Sequence, residues 1–265
     1  MPIIENHRLK YEMDSIKVTY PDVGEVTYNS SFPLIVPNNW TPTPKISVNK
    51  GDIITLDSKQ YRVLKTEGTV AEVLAMYDAS SVNFDTSATS NVYANRSLDV
   101  YLSQTFYNSL SSVMQAAIVA KTFSQDSWYF NVGTSGGSGN PIYQGTYQTT
   151  NYRLGLGSAT FGSSISRKCY ALSVQDVIDY LGVTTSMDSA NTTLTSENVW
   201  KMFWNQTTSP GSTNLWLRSA CADIAVRAFG ARGDEGNLYY NFIGGSYAVR
   251  PAFQIDLSKV EWTKE

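Results

Sequence analysis

Residues 215–219 read Leu-Trp-Leu-Arg-Ser, a short and mostly apolar run that predicts a buried β-strand. Further along the chain, residues 248–253 read Ala-Val-Arg-Pro-Ala-Phe and residues 255–257 read Ile-Asp-Leu. Between these runs, the Gly-Asn pair at 236–237 can turn the chain, and residues 238–242 then continue as Leu-Tyr-Tyr-Asn-Phe. Apolar and aromatic runs separated by turn residues are typical of strands, so the C-terminal third is predicted to be rich in β-structure.

Upstream segments show both strand and helix patterns. Apolar side chains recur at three- and four-residue steps from Leu98 to Leu110, as they do in amphipathic helices. Ser173 is placed to cap a helix that ends just before Gly182. The other predicted elements are strands at Gly51 to Leu56, Tyr61 to Lys65 and Val70 to Tyr77, and helices that begin at Ser112 and at Thr195 or Ser196.

The first part of the chain has a different character. Two β-like stretches, at residues 16–20 and 25–28, precede four prolines between Pro33 and Pro44. Proline at this density disfavours helices and central strands. We therefore predict that residues 1–45 form an attachment arm and linker, and that residues 46–265 form the main domain. An edge strand packed on the main domain is the alternative.

Several C-terminal motifs together resemble a known family. Residues 216–219, 236–238, 248–253 and 255–257 occur in the order seen in bacterial and phage C-type-lectin-like domains. Those domains are related to formylglycine-generating enzymes and to the variable proteins of diversity-generating retroelements. The resemblance spans about residues 46–260. It implies an α+β, C-type-lectin-like (formylglycine-generating-enzyme-like) fold with an extended β-rich N-terminal arm.

The same resemblance implies that the segment between the two anchoring motifs faces a ligand. Tyrosine, arginine and asparagine are typical of binding surfaces, because they combine a large contact area with directed hydrogen bonds. Alternation along a strand would turn about half of these side chains into the core, and it allows only one of Tyr239 and Tyr240 to point outward. The candidate ligand-binding residues are Asp223, Arg227, Phe229, Arg232, Asp234, Tyr240, Asn241 and Tyr247.

Other conspicuous residues are interpreted as scaffold. Trp216, Arg218, Arg250 and Pro251 could form a site, but buried arginines need partners, and we expect main-chain carbonyls or carboxylates such as Asp256 to supply them. The polar stretch from about residue 123 to 166 is typical of a functional loop, and it is the second place where a ligand could bind.

Little in the sequence supports catalysis. The one histidine, His7, lies in the predicted arm, which excludes serine–histidine or cysteine–histidine chemistry from the main domain. The enzymes in the resembled family use two closely spaced cysteines, whereas Cys169 and Cys221 are far apart in sequence. Whether these two cysteines pair is left open. No cofactor and no metal site is expected, and Asp223, Asp234 and Glu235 are more typical of solvated surface acids than of an ion site.

Composition and charge limit the partners. Only 16% of the 265 residues are charged and the net charge is −3, so nucleic-acid binding lacks electrostatic support. We find neither a membrane span nor a signal peptide. These features, with the resemblance, predict a phage virion protein on an extracellular surface that attaches to a host receptor, protein or glycan. The arm would bind virion proteins, and a homo-oligomer such as a trimer is expected. The alternatives are a structural capsid or tail decoration protein, a bacterial surface adhesin, and an enzyme of the sulfatase-modifying type.

Overall fold

The chain divides into two compact units, Met1–Ser47 and Val48–Glu265, close to the predicted boundary. A computed structural model describes residues 47–123, 165–182, 196–220 and 225–265, together with the backbone of five strands in the N-terminal unit. Of the predicted polar stretch, residues 124–164 lie outside the described residues, as do His7, Cys221 and Asp223.

The N-terminal unit contains two small antiparallel arrangements. Its strands are β1 (Ile3–Glu5), β2 (Arg8–Lys10), β3 (Ser15–Tyr20), β4 (Gly24–Asn29) and β5 (Leu34–Ile35). Strands β1, β2 and β5 form a three-stranded sheet, and β3 pairs with β4 as a hairpin. The two β-like stretches predicted from sequence are therefore confirmed as strands.

The larger unit is built mainly from strands. They are β6 (Ile53–Leu56), β7 (Lys59–Glu67), β8 (Val70–Ala75), β9 (Ser80–Asn83), β10 (Ile118–Val119), β11 (Lys121–Phe123), β12 (Ile165–Arg167), β13 (Cys169–Tyr170), β14 (Asn214–Ala220), β15 (Arg227–Arg232), β16 (Asn237–Phe242), β17 (Ser246–Val249), β18 (Ala252–Asp256) and β19 (Trp262–Lys264). The helices are α1 (Ser97–Val100), α2 (Tyr107–Ser109), α3 (Ser112–Ala117), α4 (Val174–Leu181) and α5 (Ser196–Trp204). A π-helical segment, Tyr101–Phe106, joins α1 to α2, and a 3₁₀ turn, Leu257–Lys259, follows β18.

Two sheets organise this unit. The larger runs in the order β10-β18-β8-β7-β6-β19, with β13 also paired to β18. The second is five-stranded and runs β16-β15-β14-β17-β9. Its one parallel pairing, at Leu215 and Ala248, joins the two sequence motifs that anchor the C-terminal third. Among the described strands, the short strands β11 and β12 pair only with each other. They lie directly before and after residues 124–164 in the sequence.

The core consists of two clusters of buried side chains. In the larger cluster, Trp216 packs edge-on against Phe84 with ring centroids 5.5 Å apart. In the smaller cluster, Tyr61 packs edge-on against Phe253 at 5.3 Å. Burying an aromatic or large aliphatic side chain contributes about 1.5–3 kcal/mol, so these clusters are the main source of stability that the sequence encodes.

The ends of α4 illustrate how local sequence sets a boundary. The Oγ atom of Ser173 accepts a hydrogen bond from the backbone N–H of Asp176 at 3.0 Å, and the Asp176 carboxylate accepts one from the Ser173 N–H at 2.8 Å. Gly182, with φ +70°, ends the helix in the left-handed conformation that glycine adopts at little cost. The predicted cap and end of α4 are confirmed. For α3, however, the cap is Ser111 and not Ser112.

The predicted α+β, C-type-lectin-like fold is wrong, because the protein is mostly β-structure. The predicted helices occur among the described residues, but the predicted helix from Leu98 to Leu110 forms as α1, a π-helical segment and α2, and α5 has nine residues. The sheets supply the frame on which both core clusters are built. The apolar periodicity correctly indicated where the helices lie. It did not show that helices make up only a small share of the fold. In the described ranges, no helix combines the length and apolarity that crossing a membrane requires.

Candidate ligand-binding surface

Most of the predicted binding residues lie on the antiparallel hairpin formed by β15 and β16, whereas Tyr247 lies on β17 and Asp223 is outside the described residues. Register pairs Arg227 with Phe242 at the open end of this hairpin and Arg232 with Asn237 next to its turn. The structure separates the predicted residues into a buried middle, the turn end, and the open end, where β15 begins and β16 finishes.

The middle of the hairpin is buried. Phe229 and Tyr240 are cross-strand partners, only 1% and 2% exposed, and their rings meet edge-on at 6.4 Å. Asn241 is also buried. These three side chains therefore support the hairpin and do not face a ligand, whereas Tyr239 remains partly exposed.

The turn end satisfies its own polar groups. The Arg232 guanidinium donates to the Asp234 carboxylate at 2.8 Å and lies 3.3 Å from the carboxylate of Glu235. It also covers the Tyr239 ring at 5.4 Å. From the other side, the Gly233 carbonyl accepts a hydrogen bond from the Trp200 indole at 2.7 Å. The polar groups of this end are largely bonded to one another, although one positive charge faces two negative ones, so it is a weaker candidate for binding than the open end.

The open end is different because it exposes apolar surface next to Arg227, a cation for which the described residues supply no carboxylate partner. Val226 is 37% exposed and Phe242 is 46% exposed, and each belongs to a small set of large hydrophobic side chains that face solvent in the described part of the chain. Arg227, the cross-strand partner of Phe242, packs its guanidinium over the Tyr240 ring at 5.4 Å. Among the described residues, no carboxylate lies within ion-pair distance of Arg227.

A loop after β9 abuts this open end. The Asp85 N–H donates to the carbonyl of Ile243 at 3.1 Å, and the Asn91 side chain donates to the carbonyl of Arg227 at 2.8 Å. The Asn83 side chain also donates to the carbonyl of Gly244. The loop, which we define as residues 85–91, is therefore held against the hairpin by hydrogen bonds.

Tyr247 contributes to the core rather than to an exposed site. It lies on β17, where its ring packs edge-on against Trp216 at 4.9 Å and against the larger core cluster. It is half-buried, so only part of its ring could reach a partner.

The residues interpreted as scaffold do hold the fold together. The Trp216 indole donates to the carbonyl of Val82 at 2.9 Å, and Arg250 donates to Asp78 at 2.7 Å. Arg218 is 2% exposed and donates to the carbonyl of Ala171 at 2.8 Å. The scaffold interpretation is confirmed. Asp256, the carboxylate expected to pair with these arginines, instead binds Ser258 and Lys259.

A buried ionic cluster is the main feature that sequence reasoning missed. Lys121 bridges two carboxylates, with its Nζ 2.7 Å from Glu72 and 3.3 Å from Asp176. Arg218 binds the second oxygen of Asp176, and the Tyr170 hydroxyl donates to Glu72 at 2.8 Å. We call these five residues the ionic cluster. They come from β8, β11, β13, α4 and β14, so no local pattern in the sequence could have shown them together.

The pKa values of the ionic cluster follow from its pairing. Burial alone would raise the pKa of Asp176, but Arg218 and Lys121 hold it well below its usual value. Burial alone would lower the pKa of Lys121, but the charges of Asp176 and Glu72 raise it. Asp176 and Lys121 are therefore both charged at neutral pH, and the cluster sets two basic side chains, Lys121 and Arg218, against two acidic ones. This balance favours a structural role over proton transfer.

Cys169 lies close to this region on β13 as a free, buried thiol. Burial raises its pKa to about 12. Since only the thiolate is a good nucleophile, about one thiol in ten thousand would be reactive at pH 8. No group of three or more His, Cys, Asp or Glu side chains that could hold a metal ion occurs among the described residues.

We expect Cys169 to resist a thiol reagent such as Ellman's reagent in the native protein at pH 8. The measurement uses a Cys221→Ser variant, so that Cys169 is the single cysteine that can react. One equivalent should react only after unfolding in guanidinium. Rapid stoichiometric labelling of the native protein would contradict the assignment of Cys169 as a buried, unreactive thiol. It would make a chemical role for this thiol worth testing.

The fold and the surface together define a β-rich, two-unit protein with a rigid hairpin whose open end is exposed. The chain belongs to the family described as a domain of unknown function, DUF6273, whose model matches residues 63–257. That range includes the ionic cluster and the whole hairpin, and it leaves out the N-terminal unit. Neither the curated proteins nor the solved structures include a match.

Proposed function

We propose that this protein recognises a macromolecule on a cell surface and serves a phage virion in attaching to its host. The observation that carries the proposal is the exposure of Phe242 and Val226 beside Arg227 at the open end of the hairpin. Aromatic and arginine side chains account for a large share of the energetic hot spots in protein interfaces. Isolated exposed apolar residues are common, but Phe242 and Arg227 are cross-strand partners, so an exposed aromatic ring and a cation lie on one face of the hairpin.

The rigidity of the hairpin supports the same proposal. Binding costs free energy when side chains and loops must be ordered, and a preorganised surface avoids part of that cost. Here the buried middle of the hairpin and the three hydrogen bonds from residues 83–91 fix the open end in place. The separate N-terminal unit would then attach the protein to the particle, and several copies on one particle would raise the apparent affinity.

The test is a cell-binding assay on the full chain. We expect biotinylated protein, multimerised on fluorescent streptavidin, to bind a subset of strains in a bacterial panel. Phe242→Ser should reduce that binding by about tenfold or more, the effect of removing an interface hot spot. Val113→Ser on α3 is the matched control, because Val113 is 57% exposed and should tolerate the same change.

Two outcomes would count against the proposal. Equal binding by wild type and Phe242→Ser would remove the open end of the hairpin from the binding site. A failure to bind any strain, with both proteins folded, would overturn host attachment and favour a decoration protein that contacts only virion neighbours.

A further inference from the structure

The loop of residues 85–91 and the open end of the hairpin form one continuous surface. Two hydrogen bonds join them, from Asp85 to Ile243 and from Asn91 to Arg227, and a third, from Asn83 at the end of β9 to Gly244, lies beside them. A methyl group added at Gly244 would lie 3.2 Å from the Cβ atom of Ala88, which shows how closely the two segments approach. A partner that touches Phe242 would therefore meet the loop as well.

The loop presents fixed hydroxyl groups to solvent. The buried carboxylate of Asp85 accepts hydrogen bonds from the Ser87 hydroxyl at 2.8 Å and from the backbone N–H groups of Thr89 and Ser90 at 3.1 Å. Thr86, Ser87 and Thr89 are exposed. The loop can therefore offer directed hydrogen bonds at little entropic cost.

The two charged residues of this composite surface, Asp85 and Arg227, differ in how their charges are matched. Burial alone would raise the pKa of Asp85, but its hydrogen bonds from Ser87, Thr89 and Ser90 lower it, so the carboxylate is ionised. It is satisfied by these inward-facing bonds, and Arg96 lies 3.9 Å away. Arg227 has no carboxylate partner among the described residues. A partner that supplies a carboxylate opposite Arg227 would complete the pairing.

The aromatic rings argue against a neutral sugar as the partner. A sugar stacks on an open ring face, but Arg232 covers the Tyr239 ring, Tyr240 is buried, and Tyr247 packs against Trp216. Phe242 is open, yet a neutral sugar would leave Arg227 unpaired. A protein with an apolar pocket and an acidic rim satisfies both groups.

We infer that residues 85–91 and the open end of the hairpin together bind a protein surface that presents an apolar pocket rimmed by carboxylates. This inference rests on the proposed function and adds the second contact segment and the chemistry of the partner. Phe242 fills the pocket, Arg227 pairs with the rim, and the hydroxyl groups of Thr86, Ser87 and Thr89 bond at the periphery.

A random-peptide display library provides a defined probe. Selection on the immobilised full chain is expected to enrich peptides that combine Asp or Glu with apolar residues and that lose binding to Phe242→Ser. One enriched peptide is then synthesised, and its affinity is measured by fluorescence polarisation. Arg227→Glu should weaken that affinity by more than tenfold, since it replaces attraction by repulsion at a contact residue.

Position 86 tests the participation of the loop. Thr86 is exposed, and a charge there should act on an acidic peptide bound next to it. Thr86→Lys should strengthen binding by about threefold and Thr86→Glu should weaken it by a similar factor, the scale of exposed ion pairs. The same changes at the exposed residue Thr207, on a different loop, serve as the matched control and should have no effect.

The outcomes separate this inference from the proposed function. If the peptide depends on Phe242 but is indifferent to the charge at position 86, the loop is not part of the surface and the inference fails, while the proposed site survives. If no enriched peptide depends on Phe242, both fail. Enrichment of Lys- and Arg-rich peptides would overturn the acidic partner.

Discussion

Replacing Asp176 by Asn is expected to lower the free energy of unfolding by about 3–5 kcal/mol, because breaking one side of a buried ion pair leaves its partners uncompensated. Asp176 binds both Arg218 and Lys121, and Arg218 is only 2% exposed. Asparagine keeps the shape of the side chain and can still accept the hydrogen bond of the Ser173 N–H. The loss therefore reports on charge and not on helix capping.

Urea unfolding of the full chain measures this loss, with Asp179→Asn as the matched control. Asp179 lies one turn further along α4 and is exposed, with its carboxylate bonded only to Gln175 among the described side chains. The control should change stability by no more than about 0.5 kcal/mol, as is usual for surface substitutions. If the two variants were equally stable, the ionic cluster would have no structural role.

Wild type and Asp176→Asn should also differ in how the free energy of unfolding depends on pH. The pKa of Asp176 in the folded protein lies below the ordinary value of 3.8 because Arg218 and Lys121 favour the carboxylate. The stabilisation that the ionised Asp176 gives the folded protein is therefore complete above about pH 4, and it is lost as the pH falls toward the pKa of Asp176 in the folded protein. Asp176→Asn should consequently lose less stability than wild type between about pH 4 and pH 2.

The second large effect is expected at Trp216. Trp216→Ala should cost about 3–5 kcal/mol, the range for truncating a buried aromatic side chain. The indole is 2% exposed, and its ring meets Phe84 and Tyr247 edge-on. Its removal also leaves the carbonyl of Val82 without the indole N–H as a donor.

Trp216→Phe separates the two contributions. Phenylalanine restores most of the apolar volume but not the hydrogen bond, so we expect it to recover about half or more of the loss in urea unfolding experiments. Trp262→Ala on the C-terminal strand β19 is the comparison, since Trp262 is only partly buried and should cost less. A Trp216→Ala protein as stable as wild type would contradict the assignment of Trp216 to the core.

The sequence predicted individual elements well where the signal is local. The cap at Ser173 and the glycine at 182 fix both ends of α4, because each acts through hydrogen bonds or backbone geometry within a few residues. The strands around Trp216 and Val63 were predicted for a similar reason, since short apolar runs favour strands wherever they pair.

Sheet pairing could not be predicted from these patterns. Strand β14 pairs in parallel with β17, and β17 joins β9, more than a hundred residues earlier in the chain. Several short strand-like motifs in a familiar order are compatible with more than one pairing scheme. This is why the order of motifs suggested a lectin-like fold that the structure does not have.

In the candidate site, too, the local elements could be predicted from the sequence but their tertiary packing could not. The sequence indicated the hairpin, but alternation alone could not place Tyr240 in the core or leave Phe242 in solvent. The burial of both faces in the middle of the hairpin depends on tertiary packing. The loop of residues 85–91 carries no strong motif, and only its hydrogen bonds to the hairpin connect it with the surface.

The central claim, that the open end of the hairpin contacts the partner, is tested most directly by photo-crosslinking. Benzoylphenylalanine is introduced at position 242 of the full chain, at position 113 as the exposed control, and each protein is irradiated on a bacterial strain that it binds. We predict a covalent adduct to a cell-surface protein from position 242 and none from position 113. Adducts at both positions alike, or at neither while binding persists, would contradict the assignment of this surface.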